Sequence, residues 1–133
     1  MRLTGVMLVL AAALLMTASG RAQSLSPMHN KGMTPSDVKG FSLLVGNPYK
    51  QRMTFVLVAM DPGFSAPVEG AEIAPSEVTL APGYSRRVIA AFKIFPDAKE
   101  RTIAVCVMPK KPLGTVMPRV CGTYTGLLAG AGG

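Results

Sequence analysis

Two apolar runs sharing one turn occupy the stretch from Arg101 to Tyr124, and they constrain the fold more than any other feature. Ile103-Ala104-Val105-Cys106-Val107 leads into Lys110-Lys111-Pro112-Leu113-Gly114-Thr115, and the chain returns through Val116 and Cys121 to Tyr124. β-Branched residues on either side of a Pro/Gly turn read as an antiparallel hairpin. With the turn centred on Leu113-Gly114, residues whose numbers sum to 227 face one another, so Cys106 opposes Cys121 and Pro109 opposes Pro118. Counting inward makes the cysteines a hydrogen-bonded pair, about 5.5 Å between Cα atoms and within disulfide range. A bulge near the prolines would shift this. Because Ile103, Val105 and Val107 form the inward set, Cys106 points to the outer face, and the bridge staples neighbouring strands there. Closing a loop of this length stabilises by about 3 kcal/mol on the chain-entropy estimate. Neither cysteine has the CxxC spacing or the nearby histidine of a redox or thiolate-metal site.

A disulfide needs an oxidising compartment, and the N-terminus supplies a route to one. Arg2 precedes the apolar run Val6 to Met16, followed by Ala18-Ser19-Gly20-Arg21-Ala22-Gln23, the layout of a secretory signal peptide cleaved after Ala22. The run is shorter than the roughly 18 residues a membrane span requires, so stable membrane insertion is not expected and the location is periplasmic or secreted. Removing residues 1–22 leaves 111 of the 133 residues. That is enough for one domain, taken as residues 23–128, with residues 129–133 as a flexible Gly/Ala tail. Arg2 and Arg21 leave with the leader, so 12 of the 14 basic residues remain against 7 acidic ones, a formal charge of +5. These cations are scattered without interleaved aromatic residues, which excludes an obvious nucleic-acid surface.

Between leader and tail, short runs rich in Val, Ile, Phe and Thr are punctuated by Asn47-Pro48, Asp61-Pro62-Gly63, Pro82-Gly83 and Pro96-Asp97. This is the pattern of an all-β sandwich. Apolar residues recur at every second position in four strands. Their inward sets are Phe41, Leu43 and Val45; Met53, Phe55, Leu57 and Ala59; Val88, Ala90, Phe92 and Ile94; and Ile103, Val105 and Val107. The second strand is apolar on its other face too, at Val56, Val58 and Met60, so it is a central strand or one covered by a loop or partner. Glu77 to Leu80 is a shorter strand, and Ser24 to Lys39, with its prolines and glycines, reads as an irregular first edge strand.

Catalytic chemistry finds little support. The chain has one histidine, His29, and no Ser in a Gly-rich elbow, so a Ser-His-Asp triad is not expected. Glu69/Glu72 and Asp97/Glu100 lie in polar, turn-like segments, and no cofactor is implied. Met28, His29 and Met33 bring thioether and imidazole groups together in sequence, which makes a small periplasmic copper carrier an alternative, with Met108 or Met117 as further ligands.

Two segments resemble a known family. Phe41-Ser42-Leu43-Leu44-Val45-Gly46-Asn47-Pro48 followed by Arg52 to Val58 resembles the second and third strands of PapD-like immunoglobulin domains. Ile73 to Val88, with the turn Ala81-Pro82-Gly83-Tyr84-Ser85, resembles their fourth strand, turn and fifth strand. Pro82 pre-sets the first central turn torsion and Gly83 supplies positive φ. The resemblance implies a seven-stranded immunoglobulin-like β-sandwich, similar to the N-terminal domain of periplasmic pilus-assembly chaperones. It implies a non-enzymatic, exported module that helps assemble or stabilise a pilus or other envelope structure by pairing an edge strand with a protein partner. The donor strand would be Val116 to Thr123, with Val116, Met117, Arg119, Val120 and Thr123 as contacts, and the Cys106/Cys121 bridge resembles the one in chaperones of the long-loop kind. A structural subunit of a surface assembly, using the Val56/Val58/Met60 face, is a further alternative.

Overall fold

A computed structural model describes residues 22–129. Of the expected leader only Ala22 is described, with the expected cleavage at its bond to Gln23, and the expected tail beyond Ala129 lies outside the described residues. Ala129 itself donates its N–H to the carbonyl of Thr34 at 2.8 Å. Among the described residues no helix is long and apolar enough to cross a membrane.

The strands, in chain order, are β1 (Ser24–Ser26), β2 (His29–Thr34), β3 (Val38–Gly46), β4 (Met53–Met60), β5 (Ala71–Ala74), β6 (Glu77–Leu80), β7 (Ser85–Lys93), β8 (Glu100–Pro109) and β9 (Val120–Leu128). They form a four-stranded sheet in the order β1-β3-β7-β5 and a five-stranded sheet in the order β2-β9-β8-β4-β6. The count differs from the expected seven because the first and fourth strands each divide at a proline. β1 pairs antiparallel with β3, but beyond Pro27 the chain crosses to the other sheet, where β2 pairs parallel with β9. Likewise β5 pairs with β7, and beyond Pro75 the chain continues as β6 against β4. A proline has no N–H to extend the ladder it interrupts. The segment Ser24 to Lys39 is therefore one edge strand in each sheet, followed by the first residues of β3.

The alternating residues meet between the sheets. Phe41, Leu43, Val45, Phe55, Leu57, Val88, Phe92, Ile94, Ile103, Val105, Val107 and Tyr124 form one core, and Phe41 lies beside Phe92 and Tyr124 with centroids at 6.0 and 5.7 Å. Ala59, expected inward, is only half-buried. The second apolar face of β4 is covered by the chain's own loop. Met60, Ala104 and Cys106 are buried together, with Phe64, Val58, Met108 and Cys121 packed against them.

Candidate partner-binding edge

β8 and β9 pair with Glu100 opposite Leu127 and Cys106 opposite Cys121, the register in which numbers sum to 227. Cys106 and Cys121 form a disulfide, with Cα atoms 4.1 Å apart. That spacing belongs to a non-hydrogen-bonded pair rather than the wider pair counted from the turn. The turn explains the difference. Leu113 and Val116 exchange N–H···O bonds at 2.7 and 3.0 Å, so the turn is centred on Gly114-Thr115, with Gly114 at φ 61°. The regular ladder stops at Val107/Val120, leaving more residues on the β8 side than on the β9 side, and a count begun at the turn loses its phase. Pro109 does not face Pro118; it faces Phe55 of β4.

The bridge lies on the sheet face away from the main core, yet Cys106 is fully buried. Phe64 covers it from the loop after β4, and that loop is closed by Asp61, whose carboxylate accepts the N–H of Ser65 at 2.7 Å. The Ser65 hydroxyl and N–H together hold the Asp61 carboxyl below its ordinary range.

The expected donor segment is not one strand. Val120 opens β9, whereas Met117 to Arg119 lie outside any strand. Pro118 removes a donor, and its carbonyl is taken at 2.9 Å by the side-chain amide of Gln23. That amide also donates to Val107 O at 2.8 Å, and its oxygen accepts the Tyr49 hydroxyl at 3.1 Å. Gln23 is buried and was not legible as a clamp, because its partners lie 84 and 95 residues away.

Nor is β9 an edge over its whole length. β2 covers Thr123 to Leu128, beginning at the His29/Thr123 pair, while Val120, Cys121 and Gly122 face β8 on one side and no strand on the other. Thr123 is correspondingly occupied: its N–H donates to Met28 O at 2.8 Å, and its hydroxyl bonds His29 Nδ1 at 2.7 Å. Of the other expected contacts, Val116 is 59% and Met117 44% exposed. Arg119 is exposed, and Val120 is half-buried against the core. The close approach of the chain at Pro27-Met28 depends on Gly122, where a Cβ would lie 2.5 Å from the Tyr124 hydroxyl and 2.6 Å from Met28 O. Tyr124 donates that hydroxyl to Pro27 O at 2.6 Å, and burial pushes its phenol up to about 12.

The Met28/His29/Met33 group is not gathered. His29 and Met33 sit four residues apart on extended β2, about 13 Å along the strand, and the His29 ring is engaged by Thr123.

No protein-family model matches the sequence, and no curated protein matches it significantly. Solved structures do share its fold. The Escherichia coli chaperone DraB superposes with a TM-score of 0.62 at 17% identity, over 78% of this chain and 53% of that one. A Salmonella enterica SafA pilin–SafB chaperone complex gives 0.65 at 14% identity, over 86% and 58%. A PapD-like domain of human CEP192 gives 0.60 at 10% identity, over 86% and 92%. The fold is the PapD-like immunoglobulin sandwich, and the chain spans little more than half the length of the bacterial chaperones it matches.

Proposed function

We propose that the chain is an exported, non-enzymatic protein-binding module of the periplasm. In this reading it acts in a chaperone-like way in assembling or stabilising a pilus or other envelope structure. The observation that carries the reading is the uncovered flank of the β8–β9 hairpin. β2 stops at Thr123, so the start of β9, Val120 to Gly122, has no strand on its outer side, and the segment leading into it carries the exposed side chains of Val116 and Met117. A partner strand added there gains main-chain hydrogen bonds, with alternate side chains setting specificity. The sharing of a fold with chaperones that have been solved with pilin and tip-adhesin subunits supports the same reading.

The test is affinity capture from native periplasmic extract with wild type, Met117→Asp and His29→Ala, read by mass spectrometry. Wild type and His29→Ala should recover the same envelope subunit, and Met117→Asp should lose it. Capture of no such subunit by wild type, or equal capture by Met117→Asp, would overturn the proposal.

A further inference from the structure

Beside the tip of the same hairpin, the start of β4 and the β8–β9 turn enclose an open cleft of about 480 Å³ lined by Arg52, Met53, Thr54, Lys110, Lys111 and Leu113, among others. Its walls are tied together by the Lys110 N–H donating to Thr54 O at 2.8 Å. The floor is apolar, with Met53 buried and Leu113 half-buried, and the rim is cationic. Lys110 pairs with Glu77 at 2.6 Å, and the other ion pair among the described residues is Lys93 with Asp37. Among the described residues Arg52 and Lys111 thus face solvent with no carboxylate partner.

We propose that this cleft binds an acidic peptide segment, its carboxylates meeting Arg52 and Lys111 and its aliphatic stems lying on Met53 and Leu113. A compact inorganic anion would leave that apolar floor uncovered, and the lining has no aromatic residue on which a nucleic-acid base could stack. The cleft lies beside the Leu113/Val116 bridge. It lies on the β8–β4 side of the hairpin, away from the open outer flank of β9, so this site is separate from the edge-pairing surface proposed above.

The test uses amide chemical shifts of the folded chain and two acetylated, amidated peptides of alternating valine and threonine, one ending in three glutamates and the other in three glutamines. The glutamate peptide should shift signals of Gln51–Thr54 and Lys110–Leu113. Its affinity should fall ~tenfold in the double variant Arg52→Gln/Lys111→Gln, from the loss of two surface charge contacts. It should rise in Glu77→Gln, which removes the competing carboxylate. Equal binding of the two peptides at the cleft, or an unchanged affinity in the double variant, would overturn the proposal, as would inorganic phosphate shifting the same signals as strongly. Shifts at the cleft without shifts at Val116–Gly122 would uphold the acidic site and leave strand pairing to its own capture experiment. Shifts at Val116–Gly122 alone, with none at the cleft, would overturn the acidic site.

Discussion

At Gly122 and Tyr124 single atoms decide how the chain is stapled to itself. A Cβ at position 122 would collide with the Tyr124 hydroxyl and the Met28 carbonyl, and neither can retreat without breaking the Tyr124–Pro27 hydrogen bond or the Thr123–Met28 bond. Gly122→Ala should therefore destabilise by about 1–3 kcal/mol, the usual cost of overpacking, measurable as a lower urea midpoint at unchanged slope. Tyr124 also sets an alkaline limit. Its buried phenol is raised from 10.0 to about 12, so below pH 10 both folded and unfolded states are protonated and the full stability is present. Between pH 10 and 12 the unfolded chain ionises first and stability falls, by about 3 kcal/mol in total. Urea titrations at pH 8 and pH 11 should show this slope, and in Tyr124→Phe its Tyr124 share should vanish, at the cost of leaving Pro27 O without its donor.

The β8–β9 hairpin carries its staple on the face opposite the main core, where Cys106 is buried with Met60 and Phe64 packs against them, while Cys121 is half-buried. A reductant thus reaches Cys106 only through opening of the loop or of the fold and approaches the bridge from the Cys121 side. The double variant Cys106→Ala/Cys121→Ala, which frees a loop with a sequence separation of 15, should lose about 3 kcal/mol. In the wild type, dithiothreitol should reduce the bridge more slowly than in Phe64→Ala, which uncovers Cys106; equal rates would show that Phe64 does not guard it. The strand pattern made the hairpin and the Cys106/Cys121 pairing legible, but the turn lies one residue later than its residues suggested, and the unequal arms between it and the ladder restore the pairing while changing its hydrogen-bonding phase. The division of the donor segment was not legible: Pro118 marked a break, but what holds the break in place is Gln23, a residue remote in sequence whose polar side chain gives no local signal.

Across the molecule, two strands hand the chain from one sheet to the other, at Pro27 and at Pro75, and residues from both sheets share one core. Neither sheet retains a buried face without the other. Unfolding should accordingly be a single transition. Hydrogen exchange of buried amides in β3 and β7 should report the same opening free energy as those in β4 and β8. A lower value in one sheet alone would mean that the crossovers do not couple the sheets.

The sequence by itself determined the sandwich, the inward sets and the pairing of Cys106 with Cys121, because strand alternation is local and is repeated along the chain, while the exact turn of the last hairpin was set by the structure. Tertiary structure alone decided which backbone stays open. The parallel pairing of β2 removes Thr123 from the candidate edge, Gln23 bends Met117 to Arg119 out of the ladder, and Arg52 comes to lie across a cleft from Lys111. Each of these depends on contacts between residues far apart in sequence, which periodicity does not encode.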